Sequence, residues 1–311
     1  MINLPLECKV LKELVRNFFG SQITCKECNP QIHPSYRIRR SEYEPKGCLI
    51  AHTALSLIEA LNVRDYYQRS IEKLLKEVKC NLNPWNLALA TILLHDFGKL
   101  HDRYRLGEVA PQHNVVSSII TARTLSGECG KIASYAIFLH HEAFHWKDVE
   151  KYIGLISIHH TIKPKVYFLF NENILNIFNE NLSSILDIIG LEELKNIVNR
   201  AINVMKKISG KHIQVRYEIS QIKPNYRNLP IALALYKLIY MTDNRAASAR
   251  SEYWINIAKK INWLNYREAP FDAFKKFTER RYIITLSEIP EHLIHYLNMG
   301  EFHGKHSTTN N

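Results

Sequence analysis

Apolar residues recur at three- and four-residue intervals in stretches near 8–19, 47–62, 67–78, 85–95, 112–125, 131–141, 149–158 and 183–206. Each stretch is punctuated by Gly, Pro or Asn, so each reads as a helix. Ile213-Gln-Val-Arg-Tyr-Glu-Ile219 alternates as a half-buried strand does, and Tyr282–Leu286 is its candidate partner. The pattern predicts a mainly α fold: a helical bundle with an insertion and a small β-hairpin. At 311 residues the chain can bury a substantial core, and no long internal repeat is evident.

Composition shifts divide the chain further. Residues 1–46 read as an N-terminal helix followed by a polar, proline-bearing loop from Asn29 to Lys46. Residues 47–250 carry the main helical pattern, with an insertion at about 160–228, and 251–311 form a C-terminal helical extension. The tail Gly304–Asn311 is expected to be disordered, with His303 and His306 in solvent.

Several apolar helical stretches are broken by a residue able to bind a cation. His52 interrupts Cys48–Ile58, and His95-Asp96-Phe97-Gly98-Lys99 directly follows Leu87–Leu94. His113 lies early in Pro111–Ile120, where Pro111 suits a first helical turn. His140-His141 ends the run Ile132–Leu139, and Asp243 follows Ile231–Met241. Gly98 is suited to the left-handed conformation that closes a helix, which puts His95 and Asp96 in a last turn whose unpaired carbonyls favour cations. One such histidine alone is usually a hydrogen-bonded core residue. Together, five imidazoles and two carboxylates on apolar helices cost several kcal/mol per unpaired group unless something compensates, and a divalent metal does so. This donor set suits iron, manganese, cobalt, nickel or zinc better than calcium or magnesium. Lys99 is placed either to meet a phosphate oxygen or to bond the carbonyls of a helix end. Two alternatives stay open: Asp187 in place of Asp243, and the second double histidine, His159-His160, which follows Tyr152–Ile158.

A helix histidine, a His-Asp pair followed by Gly-Lys, further histidines and a final aspartate form an order that resembles the HD superfamily of metal-dependent phosphohydrolases. Within it, the chain looks most like the CRISPR-associated HD nuclease that occurs as a stand-alone subunit of type I interference systems. His113, between the His-Asp pair and the double histidine, is the distinguishing feature, and Asp243-Asn-Arg-Ala-Ala247 looks like the last motif. The similarity spans roughly residues 45–250, and the stretch from His141 to Asp243 is long for a minimal HD core, hence the insertion.

The resemblance implies one metal on His52, His95, Asp96 and Asp243, and a second on Asp96, His113, His140 and His141, with Asp96 bridging. It implies one or two divalent transition-metal ions (manganese, iron, nickel or cobalt), with Asp96 and Lys99 as catalytic residues. The implied activity is hydrolysis of phosphodiester bonds in single-stranded DNA by metal-activated water, in type I CRISPR interference. The implied partners are a separate helicase subunit and an RNA-guided surveillance complex, contacted by the region after residue 250. The absence of a glycine-rich phosphate loop ending in Lys-Ser or Lys-Thr leaves ATP-driven unwinding to another polypeptide. An HD phosphohydrolase acting on free nucleotides uses the same ligands and is the alternative. A non-catalytic helical module stapled by its histidines is a third reading.

Charge agrees with a phosphate-rich substrate without naming it. The formal net charge is +11, and basic pairs cluster late, at Lys206-Lys207, Lys259-Lys260, Lys275-Lys276 and Arg280-Arg281. Such a surface speeds encounters with nucleic acid, although any one pair is commonly just a solvated helix face. Tyr217, Tyr226, Tyr253, Trp254 and Trp263 lie among these charges and can stack bases or pack in the core. Six cysteines do not make a dense disulfide framework, and the chain shows neither a charged-then-apolar leader nor a membrane-length apolar run. A reducing cytoplasm is expected, away from membranes. Cys25-Lys-Glu-Cys28, His33 and Cys48 resemble half of a zinc knuckle, against the commoner reading of ordinary cysteines.

Overall fold

A computed structural model of the chain describes residues 4–23, 33–39, 43–76, 78–108, 112–140, 165–225 and 227–249. The expected helix at 149–158, the strand at Tyr282–Leu286 and the C-terminal tail lie outside the described residues. Within them the protein is mainly α, and no described helix is long and apolar enough to cross a membrane.

Helix α1 (Leu6–Phe19) leads into a two-stranded antiparallel hairpin, β1 (Tyr36–Arg39) and β2 (Tyr43–Lys46), where the sequence predicts only a polar loop. Then come α2 (Leu49–Asn62), α3 (Arg64–Leu75) and α4 (Pro84–Leu94). Asn83 caps α4 by accepting the Asn86 N–H at 2.7 Å, and Pro84 fits the first turn, where its missing N–H costs nothing. Between Leu87 and Leu94 every residue of α4 is buried. A helix apolar on all sides belongs in the middle of a bundle, and α4 touches α2, α3, α6 and α7.

A single 3-10 turn (Phe97–Leu100) and the short α5 (Asp102–Arg105) follow, then the antiparallel pair α6 (His113–Leu125) and α7 (Gly127–Leu139). Ser126 and Gly127 form the tight reversal between the pair, both at positive φ (53° and 58°). After residue 165 come β3 (Val166–Phe168), α8 (Glu172–Ile188), α9 (Lys195–Ile208), β4 (Lys211–Ile213), α10 (Val215–Ile222) and α11 (Leu229–Ser248). Helix α11 runs back across α2, α4 and α7, while α8 and α9 pack on α2 and α6. In α9 the buried stripe Ile197, Val198, Ala201, Ile202, Met205 and Ile208 has the three- and four-residue spacing that lets one face meet α6.

Two expectations need correction. The stretch 183–206 is not one helix: Gly190, at φ 71°, separates α8 from α9, and α8 begins eleven residues earlier, at Glu172. The alternating stretch 213–219 is not a strand beyond Ile213. Its remaining residues start α10, and β4 pairs with β3 (Val166↔Ile213). Val215 and Ile219 satisfy a helical period as well as a strand period, whereas Ile222, three residues on, fits only the helix. Tyr217, which a strand would point to the same face, is 63% exposed, so the helical period wins.

A disulfide joins Cys80, between α3 and α4, to Cys129 in the first turn of α7. Among the described residues it is a single bridge rather than a framework, and Cys8 and Cys48 are buried. Cys25 and Cys28 lie outside the described residues. His33 is fully buried, edge-on to Phe178, and among the described residues neither ring nitrogen has a hydrogen-bond partner.

Candidate metal centre

Helix α4 ends at Leu94, and the chain then turns through His95 and Asp96 into the 3-10 turn. Gly98 does not take the left-handed conformation expected of it. Its role is close approach: a Cβ there would lie 2.2 Å from the carbonyl oxygen of His113, and its N–H donates to Ser117 Oγ at 2.8 Å. The missing side chain lets the first turn of α6 press against the His-Asp segment. His113 is thereby brought to Asp96.

Asp96 is the hub. Its Oδ2 lies 3.4 Å from His52 Nε2, 3.4 Å from His95 Nε2 and 2.5 Å from Lys99 Nζ. Its Oδ1 lies 3.3 Å from His113 Nε2 and 3.8 Å from His140 Nε2. Asp243, from α11, accepts from or faces His52 Nε2 at 2.8 Å and stands 3.6 Å from His95 Nε2. Six of the seven residues singled out as ligands thus converge from five segments. Donor atoms of His52, His95, Asp96 and Asp243 all lie within 4.8 Å of one another, as do those of Asp96, His113 and His140.

His141 lies outside the described residues, as do His159 and His160. Asp187, the alternative last acid, is 50% exposed on α8 and paired with Lys195 at 2.7 Å, away from the cluster. Lys99 turns inward onto Asp96 and is only 6% exposed. Of the basic and aromatic candidates, Lys206 pairs with Glu172, Tyr217 is exposed on α10, and Tyr226, Tyr253, Trp254 and Trp263 fall outside the described residues.

The back of each ring matters as much as the front. His95 Nδ1 bonds the Ile92 carbonyl at 2.6 Å and His140 Nδ1 bonds the Ile137 carbonyl at 2.5 Å. A carbonyl only accepts, so each Nδ1 carries the ring proton and each Nε2 turns a lone pair toward Asp96. Asn114 supports this, donating its Nδ2 to the Phe138 carbonyl at 2.8 Å and tying α6 to the last turn of α7. Nothing in the sequence pattern marks Asn114. Arg245, two residues after Asp243, donates to Glu59 at 3.1 Å in a buried pair that links α11 to α2 beside the His52–Asp243 contact.

Electrostatics set the members of the cluster against one another. Burial raises the carboxyl of Asp96, but Lys99, His95 and bonds from His113 and His52 outweigh it and hold it well below the usual carboxylate range. Asp243 is likewise depressed, its burial outweighed by His52 and His95. Burial opposes a proton on His95, yet Asp96 and Asp243 pull its pKa above the ordinary value. His140 falls to about 3 through burial and the neighbouring His95 and His113, and His113 is lowered by burial and Lys99.

These residues fit a metal. His95 Nε2 and Asp96 Oδ1 are buried without a well-formed hydrogen bond, so the chain leaves lone pairs aimed at a shared centre. Imidazole with a minority of carboxylate is a first-row transition-metal donor set. Asp243 and His113 are 23% and 15% exposed, so the cluster meets solvent on their side while His52, His95 and Asp96 are sealed.

No protein-family model matches the chain, and no curated protein does. Among solved structures, the chain is similar to a CRISPR-associated Cas3 HD domain protein from Methanocaldococcus jannaschii. The identity is 13% and the TM-score 0.33, with 64% of this chain and 95% of that one covered.

Proposed function

We propose that this protein is a metal-dependent hydrolase of the HD type that cleaves phosphodiester bonds in single-stranded DNA, working in type I CRISPR interference. The observation that carries the reading is the two-sided environment of Asp96, one oxygen facing His52 and His95 and the other facing His113 and His140. A carboxylate so placed is built to be shared between two neighbouring cation sites. His52, His95, Asp96 and Asp243 would hold one ion, and Asp96, His113 and His140, with His141, the other. Manganese, iron, nickel and cobalt suit these donors. Bound there, such ions supply Lewis acidity toward a phosphoryl oxygen and lower the pKa of water enough for attack at neutral pH.

The chain supplies the rest. His95 and His140 would present their Nε2 lone pairs to such an ion because their Nδ1 atoms are committed to carbonyls. Lys99 pairs with Asp96 and would meet negative charge on a substrate phosphate held beside that carboxylate. The open side at Asp243 and His113 is where an extended strand can enter. The order of the ligand motifs supports the interference assignment, and a net charge of +11 supports a nucleic-acid substrate. A separate helicase and an RNA-guided complex are the partners this reading requires.

The test is incubation of the purified protein with manganese and either circular single-stranded DNA or mononucleotides. Opening of the circle, lost in Asp96→Ala while DNA binding persists, supports the nuclease. Release of phosphate or nucleoside from mononucleotides, with the circle intact, moves the assignment to a nucleotide phosphohydrolase. Failure to hydrolyse either, with no metal bound, leaves a structural histidine cluster.

A further inference from the structure

His52 differs from His95 and His140 in what lies behind it. Its Nδ1 is buried and has no hydrogen-bond partner, where the other two rings bond a carbonyl of their own helix. On that side stands a carboxylate from the far end of the chain: Glu7, in the first turn of α1, is 1% exposed, and its Oε1 faces His52 Nδ1 across 4.0 Å. Burying a carboxylate there is costly, and the surrounding residues are arranged to keep it.

Ser35 Oγ donates to the carboxylate, 2.9 Å from both oxygens, and the Cys48 N–H donates to Oε2 at 2.7 Å. Gly47 is fitted to it as well, since a Cβ at that position would lie 2.0 Å from Ser35 Oγ and 2.6 Å from Glu7 Oε2. The Cys48 N–H therefore fixes Oε2 on the side away from the metal cluster, and Oε1, which Ser35 Oγ also reaches, is the oxygen that faces the imidazole.

We propose that Glu7 is a positioning residue for the metal ligand His52: its carboxylate, 4.0 Å behind the ring, favours the proton on Nδ1 and so leaves the Nε2 lone pair for the cation. The inference rests on the metal-centre reading above. It assigns α1, which lies outside the stretch carrying the ligand motifs, a part in the site. A carboxylate behind a ligating imidazole orients the ring and raises its basicity, and losing such a partner typically weakens metal affinity about 10–100-fold.

Glu7→Gln separates this role from a merely structural one. The amide keeps the size, but its oxygen must face the Cys48 N–H, which turns the NH2 toward His52 Nδ1. An amide donor there demands a proton-free Nδ1 and leaves the proton on Nε2, where it blocks the ion. The experiment is calorimetric titration of manganese and cobalt into the wild type, Glu7→Gln, Ser35→Ala, His52→Ala, Asp96→Asn and Glu7→Gln/His52→Ala, with thermal melts of each apo protein.

The expected result is an affinity loss of about 10–100-fold in Glu7→Gln, a smaller loss in Ser35→Ala, and no further loss when Glu7→Gln is added to His52→Ala. Equal affinity in Glu7→Gln and the wild type overturns the proposal, as does full additivity with His52→Ala. If Glu7→Gln does not fold, the Ser35→Ala variant decides: unchanged affinity overturns it, weakened affinity supports it. A wild type that binds neither metal overturns the metal-centre reading itself. A wild type that binds, with Asp96→Asn impaired and Glu7→Gln unaffected, overturns the Glu7 role alone.

Discussion

His33 makes the folded protein sensitive to mild acid. Its ring is fully buried against Phe178, and burial, with the Arg105 guanidinium adding to it, lowers its pKa from 6.5 to about 4. The folded state holds this imidazole neutral until pH 4, whereas the unfolded chain protonates it near pH 6.5. Between those values the unfolded state binds more protons, so stability rises with pH and is lost on acidification through this window. A displacement of about 2.5 pH units corresponds to about 3 kcal/mol when complete, of which about 2 kcal/mol is lost by pH 5. For a domain of this size that is roughly 4–8 °C in Tm. His33→Phe keeps a ring edge-on to Phe178 and removes the titration. Urea unfolding of both proteins in chelator, at pH 7 and pH 5, isolates the effect, because the metal cluster contributes equally to each. The wild type is expected to lose about 2 kcal/mol more than the variant. Parallel pH profiles would refute the assigned burial of His33.

Three further outcomes bear on the site. Gly98→Ala drives a Cβ into the His113 carbonyl, so it is expected to cost about 1–3 kcal/mol in urea unfolding and to abolish measurable manganese binding; an unperturbed variant contradicts the close approach of α6. Arg245→Met strands Glu59 in the core and is expected to cost about 3–5 kcal/mol, whereas Glu59→Leu/Arg245→Met should recover most of it. If single and double variants unfold alike, the buried pair does not hold α11 to α2. Manganese at a hundredfold excess over its Kd is expected to add about 2.7 kcal/mol, roughly 5–10 °C in Tm, reversed by EDTA and absent in Asp96→Asn. A melting curve indifferent to divalent ions contradicts the cluster's role.

How much of this was legible in the sequence follows from the range of the interactions. Helices with strong local periodicity, such as α2, α4 and α6, lie within about two residues of their expected bounds, because burial of a helical face is written every three or four residues. The convergence of His52, His95, Asp96, His113, His140 and Asp243 was approachable because each interrupts an apolar helix, which is a local sign of a group awaiting a partner. Glu7 carries no such sign: it sits in an ordinary amphipathic helix, and only the folded chain brings it to Ser35 and Cys48. Gly98 was assigned the wrong reason, since sequence cannot show a carbonyl from another helix at 2.2 Å. The segment 213–219 is ambiguous because Val215 and Ile219 satisfy both periods, and the exposure of Tyr217 that decides between them appears only after folding.

The charges explain why a cation belongs at this place in the fold. Asp96 and Asp243 are held ionised, and Lys99 offsets one of them, so with every imidazole neutral the cluster carries one negative charge in a buried setting. The imidazoles cannot share the remedy equally. His140 and His113 are pushed away from protonation by burial and by their positive neighbours, while His95, between both carboxylates, is pulled toward it. Any proton that His95 gained would sit on the Nε2 that points at Asp96 and Asp243. His52, His95, Asp96 and Asp243 would hold a divalent ion there, with His140 on the far side of Asp96, and the carbonyls of Ile92 and Ile137 keep the His95 and His140 Nε2 atoms turned toward that centre. Two buried carboxylates among imidazoles of opposed proton affinity, with His95 Nε2 and Asp96 Oδ1 lacking a formed hydrogen bond, are the physical reason to read the cluster as a metal centre rather than as a structural knot of histidines.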